Sequence, residues 1–120
     1  MKIPENGKLL RIFIGEGDRW HNQPLYEVIV LKARELHVAG ATVLRGPMGF
    51  GAASRLHTSK ILRLSEDLPI VIEIVDSEEK INLLLPHLDE MMTDGLVTLE
   101  DVRVLKYRAG QSPATGSVVP

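Results

Sequence analysis

Apolar and polar residues alternate in short runs along this chain, and two stretches of helical spacing separate those runs. Residues 8–15 (KLLRIFIG) form an apolar run closed by a glycine, the pattern of a strand. Leu10, Ile12 and Ile14 share one face of it, and Leu9, Arg11 and Phe13 share the other. Residues 16–21 read as a polar loop carrying a lone Trp20. A helix is expected to open at Pro24, with Asn22 or Gln23 as its cap, and to run to about Ala39. Leu25, Val28, Ile29 and Leu36 fall on one side of it, and Gly40 supplies a stop. Ala41 to Arg45 is the second strand. Pro69 suits a strand's first residue, and Ile70 to Val75, the most apolar run of the chain, is the third strand. Asp76-Ser77-Glu78-Glu79 reads as a capping box, with Asp76 capping and Glu79 reaching back. The second helix carries Ile81, Leu84, Leu85, Leu88 and Met92 on one face, contains Pro86 and ends at Gly95. The fourth strand is expected within residues 99–108, where Val102, Val104 and Lys106 alternate against Arg103, Leu105 and Tyr107.

The order is β-α-β-β-α-β. It predicts an α+β domain, the ferredoxin-like split βαβ plait, with a four-stranded antiparallel sheet and two helices on one face. Right-handed crossovers place the first and third strands side by side in the middle. If Ile70, Ile72 and Ile74 face the helices, Val71, Glu73 and Val75 face away, beside Leu9, Arg11 and Phe13. Arg11 and Glu73 can then pair across adjacent strands, which lowers the cost of burying them. An apolar sheet face with nothing in the chain to cover it implies self-association.

Between the second and third strands lies the stretch that sets this chain apart. It opens with three glycines in Gly46-Pro47-Met48-Gly49-Phe50-Gly51 and crosses a polar arm, residues 52–60, before a returning arm at residues 60–64. Glycines allow positive φ and close approach of another group. Loops on a rigid scaffold are where function tends to sit. On pattern alone the stretch is either a ligand loop or a decorated β-turn. The arm is expected to be mobile in the absence of a ligand or partner.

Length and composition narrow the function. With 120 residues the chain is one domain, expected over residues 1–110, with a disordered tail at 111–120. It has no cysteine, which excludes disulfides and thiolate chemistry and suits the cytoplasm. A net charge of -2 argues against a nucleic-acid or membrane-surface binder. No apolar run approaches the roughly 20 residues needed to span a bilayer, and the N-terminus lacks a signal core.

Catalytic chemistry does not stand out. His21, His37, His57 and His87 have no metal-ligand spacing among themselves or with a carboxylate, so no metal site is expected. Ser54, Thr58 and Ser59 lack an evident base. The glycine stretch is not GxGxxG, and no helix follows it. Neither an enzyme nor a resident cofactor is indicated. Binding remains. Glycine N–H groups can form an anion-holding concavity. Lys106 and Arg108 at the end of the last strand, with Arg55, His57 and Lys60 on the arm, can supply positive charge. From the sequence alone, ordinary solvated strand-end charge is the favoured account of Lys106 and Arg108.

Taken together, Gly49-Phe50-Gly51, the arm with His57-Thr58, and Leu68-Pro69 followed by Val71, Glu73 and Val75 resemble the PII nitrogen-regulatory proteins. Residues 39–46 (AGATVLRG) and Pro24-Leu25-Tyr26-Glu27 are closer to an uncharacterised PII-like branch, a family of unknown function. The likeness covers about residues 8–110. It implies a homotrimer whose open sheet faces meet at the centre, and nucleotide binding in the clefts between subunits. It also implies a regulatory module that contacts a protein partner, such as a membrane transporter or an enzyme, through residues 52–60. The implied ligand is a small anion such as an adenine nucleotide, held at the positions that match the family, Gly49 and Gly51 of one subunit and Lys106 and Arg108 of its neighbour; Gly46, Phe50, Arg55 and His57 join them as candidate ligand-binding residues. Ala52 stands where PII proteins carry a basic residue, the second loop at residues 93–98 lacks their lysine and glycines, and the arm has no tyrosine to modify. A small enzyme using His57, or a structural subunit without a ligand, are the alternatives.

Overall fold

The computed structural model describes residues 5–51 and 67–110. The arm at 52–66 and the tail at 111–120, and the expectations placed on them, lie outside the described residues. The element order is β1 (Asn6–Gly15), β2 (Arg19–Trp20), β3 (Gln23–Pro24), α1 (Leu25–Glu35), β4 (Thr42–Arg45), β5 (Pro69–Asp76), α2 (Glu78–Met91) and β6 (Leu96–Arg103). Four strands form one antiparallel sheet in the order β4-β5-β1-β6, which is the plait expected from the pattern. The strongest alternation lies on β1 and β5, and these are the two central strands.

The register explains the core. Leu10, Ile12 and Ile14 stand opposite Ile74, Ile72 and Ile70, and all are buried. Against them pack Leu25, Ile29 and Ala33 of α1 and Ile81, Leu84, Leu88 and Met91 of α2. Burial of each Leu or Ile contributes about 1.5–3 kcal/mol. Pro86 sits inside α2 without ending it.

Local signals shift several boundaries. The first loop contains a two-strand hairpin, β2–β3, because His21 and Asn22 both take positive φ, 48° and 68°, the geometry of a tight hairpin turn. Pro24 is itself the N-cap of α1, with no side-chain cap bond. That helix ends at Glu35 rather than near Ala39. His37 turns left-handed at φ 64°, the Val38 N–H donates to the Ala33 carbonyl, and the His37 N–H donates to the Arg34 carbonyl. This is a Schellman stop with histidine in the place that glycine favours. His37→Gly is expected to raise stability by about 0.5–1 kcal/mol, read as a higher melting temperature.

At the start of α2 the cap is Ser77, whose Oγ accepts from the Lys80 N–H at 3.2 Å. Asp76, expected to cap, is buried and does other work: its carboxylate accepts from the Ala39 N–H at 2.8 Å and the Ser77 N–H at 2.6 Å. It thereby ties the loop after α1 to the end of β5 and the start of α2. The last strand begins at Leu96, three positions before its expected start, and ends at Arg103. Gly95 makes the turn into it at φ 120°; a Cβ there would lie 2.8 Å from the Phe13 carbonyl oxygen. No described helix is long and apolar enough to cross a membrane.

Candidate functional site

The sheet has one face without helices. Residues directly opposite on neighbouring strands share a face. Leu9, Arg11 and Phe13 of β1 stand opposite Val75, Glu73 and Val71 of β5, and opposite Glu100, Thr98 and Leu96 of β6. Leu44 of β4 pairs with Val71 and extends the surface. Arg11 Nε donates to Glu73 at 2.9 Å, the cross-strand pair expected from the sequence, and Nη1 donates to Glu100 at 3.0 Å. The bond to Glu73 raises the Arg11 guanidinium above its ordinary value. The surface is therefore apolar around one hydrogen-bonded charge network, and both Leu44 and Leu96 are about half exposed.

At the end of the sheet where β1 finishes, several loops converge. The Gly46 N–H donates to the Pro69 carbonyl at 2.8 Å, so that donor is already used. A Cβ on Gly46 or Gly49 would lie 2.9 or 3.0 Å from Pro69 Cγ. These two glycines permit close packing on Pro69. None of Gly46, Gly49 and Gly51 takes positive φ, which corrects the expectation that the stretch uses left-handed backbone. Gly51 has open space where a side chain would stand. Met48 and Phe50 are exposed, Phe50 by 71%.

The same end is acidic. The Gly17 N–H donates to Asp67 at 2.9 Å, the Gly15 N–H donates to Asp18 at 3.0 Å, and Glu16 pairs with Arg45. Burial raises the Asp18 carboxyl, the bond from Gly15 opposes that, and nearby Asp94 and Asp67 raise it further. The turn from α2 to β6, beside these loops, borders a cleft of 360 Å³ lined by Leu85, Leu88, Met92, Val97, Asp89 and Asp94 among others. Leu85, Leu88, Asp89 and Met92 recur at helical spacing, but Val97 comes from an edge strand, so no single sequence period spans the cleft.

Lys106 and Arg108 are exposed and lie beyond β6, not within it. Their segment is fixed at the opposite end of the sheet: the Val104 N–H donates to the Glu5 carbonyl at 2.7 Å, and Tyr107 Oη donates to the Ala39 carbonyl at 3.5 Å. The ten residues of β1 separate the two ends by roughly 30 Å. One subunit thus does not bring Gly49 and Gly51 together with Lys106 and Arg108. Arg55 and His57 lie outside the described residues. Among the described residues no group of three or more His, Asp or Glu side chains is placed to hold a metal ion.

Residues 7–104 match the family model DUF190, described as uncharacterized ACR. A UPF0166 protein of Aquifex aeolicus is 40% identical over 98 residues, covering 82% of this chain and 92% of that protein. A UPF0166 protein of Methanocaldococcus jannaschii is 38% identical over 100 residues, covering 82% and 92%. Among solved structures, CPII from Thiomonas intermedia, a nitrogen regulatory PII-like protein bound to ADP, AMP and bicarbonate, superposes with a TM-score of 0.60. It is 20% identical and covers 84% of this chain and 90% of CPII, a likeness of fold.

Proposed function

The chain belongs to the DUF190 family and has the PII-like fold, and from that premise we propose that it is a homotrimeric regulatory module that binds a small anion, an adenine nucleotide, in clefts between subunits. The observation that carries this reading is the uncovered sheet face with its Arg11–Glu73–Glu100 network. A monomer would leave that surface in water. A ring of copies buries it with its charges already hydrogen-bonded, which lowers the desolvation cost. The separation of the glycine loop from the basic segment supports the inter-subunit cleft, because a neighbour can supply what one subunit holds at its far end. The nucleotides bound to CPII support the ligand class. Residues 52–60 are then the segment offered to a protein partner.

Four carboxylates, Glu16, Asp18, Asp67 and Asp94, stand at the end of the sheet that carries the glycine loop, and the turn at Thr93-Asp94-Gly95 offers no lysine. They oppose a crowded polyphosphate. AMP or ADP is expected to bind at least as well as ATP, measured by calorimetry together with cyclic AMP. Charge-assisted hydrogen bonds contribute about 1.5–3 kcal/mol each. The double variant Lys106→Ala/Arg108→Ala is therefore expected to weaken binding by at least ~100-fold. Gly51→Val is expected to do the same by filling open space on the ligand side, with folding intact. Binding of no nucleotide below millimolar, or parental affinity in the double variant, overturns the site.

A further inference from the structure

The loop after β1 holds the residues that flank the arm on both sides. On the outgoing side Arg45 pairs with Glu16. On the returning side the Glu16 N–H donates to the Leu68 carbonyl at 2.8 Å, and the Gly17 N–H donates to the Asp67 carboxylate at 2.9 Å. The two sides also meet each other, where the Gly46 N–H donates to the Pro69 carbonyl at 2.8 Å. Residues 15–18 form a closed turn of their own. The Asp18 N–H donates to the Gly15 carbonyl at 3.1 Å, and the Asp18 carboxylate accepts from the Gly15 N–H at 3.0 Å.

Two glycines shape this turn for a guest. A Cβ on Gly15 would stand 2.6 Å from Asp67 Oδ1, and one on Gly17 would stand 3.2 Å from it. Neither glycine takes positive φ, so space rather than backbone freedom calls for them. Together they leave a notch that fits one carboxylate. Asp67 keeps its seat there against like charge, since Asp94 and Asp67 both raise the Asp18 carboxyl. Gly46 and Gly49 repeat the device one step further on, each lacking the Cβ that would press on Pro69. The contacts therefore run in series. The notch holds Asp67, the chain carries that hold through Leu68 to Pro69, and Pro69 supports Gly46 and Gly49.

We infer that Asp67 is a positioning residue for the glycine loop: seated in the Gly15–Gly17 notch, it fixes Pro69, and Pro69 fixes Gly46 and Gly49. Two glycines outside the proposed ligand set, on a different loop, thereby govern where that set stands. The placement is a matter of contacts within one subunit. Its effect on affinity rests on the reading that the glycine loop binds a nucleotide.

Hydrogen exchange by NMR on the full chain tests the seat. Asp67→Ala is expected to speed exchange of the Gly46 amide roughly tenfold, by loosening Pro69, while the amides of Ile12 and Ile72 in the central strands keep their parental rates. Gly15→Ala, whose new methyl takes the room of the carboxylate oxygen, is expected to do the same. The double variant is expected to match either single one, because both remove one contact. Asp67→Asn keeps an oxygen for the Gly17 N–H and is expected to hold the Gly46 amide at its parental rate. Calorimetry with AMP is expected to show several-fold weaker binding for the two single alanine variants and parental affinity for Asp67→Asn. An unchanged Gly46 amide in Asp67→Ala, additive effects in the double variant, or faster exchange at Ile12 and Ile72 as well, overturns the positioning role. Faster Gly46 exchange with parental AMP affinity overturns the effect on the ligand. A parental protein that binds no AMP overturns the ligand reading, and the exchange rates still decide the seat.

Discussion

Phe13→Asp is expected to convert the assembly to monomers at micromolar concentration, read by light scattering. Phe13 lies on the uncovered face between Val71 and Leu96. In the proposed trimer that position is buried in every copy. The nearest cation on that face of β1, Arg11, already holds Glu73 and Glu100, so a carboxylate there gains no free cation among the described residues of its strand. Several kcal/mol are lost for each unpaired buried ion, and the loss repeats in each subunit. The fold itself is expected to survive, since Phe13 is only half-buried in the subunit and the helix-side core is untouched. Far-UV circular dichroism should therefore match the parent. Phe13→Leu, which keeps the surface apolar, is expected to retain the trimer. A Phe13→Asp protein of parental mass contradicts the proposed interface.

Asp76→Ala is expected to destabilise the subunit by about 3–5 kcal/mol, through loss of a carboxylate that accepts two charge-assisted bonds. The side chain is only 1% exposed, so the Ala39 and Ser77 N–H groups lose their acceptor inside the protein. The effect belongs to a junction: the loop after α1, the end of β5 and the start of α2 meet at this residue. Asp76→Asn keeps an acceptor oxygen and is expected to lose about half as much. Urea titration at matched protein concentration reads both, because unfolding of an oligomer depends on concentration. A loss below ~1 kcal/mol in the alanine variant contradicts the role given to Asp76.

The central pair of the sheet was legible because alternation on β1 and β5 is strict and one face is buried, so a slip of one residue would have turned Leu10, Ile12 and Ile14 into water. The same constraint made the Arg11–Glu73 pair predictable before any coordinate. Edges carry no such constraint. Strand β6 is exposed at most positions on both faces, so its start at Leu96 leaves no alternation to read. At helix ends, two cap-forming residues in a row, Asp76 and Ser77, hid which one caps. His37 stopped α1 without the glycine that marks most such turns. Gly46 and Gly49 were visible as special, but their reason, the approach of Pro69, needed the fold. Lys106 and Arg108 were found as charges, whereas Leu105 between them was read as one face of an alternating strand that in fact ends at Arg103, leaving it exposed.

The placement of the glycine loop and the basic segment at opposite ends of the sheet has a genetic consequence under the proposed assembly. Each cleft is then built from two polypeptides, so a defective gene copy is not defective in every place. A variant lacking the loop function and a variant lacking the basic segment would each fail to bind on its own. Co-expressed, they would form mixed rings in which some clefts draw the sound loop from one parent and the sound segment from the other. Two inactive alleles would thus restore binding between them, whereas two alleles damaged in the same part would not.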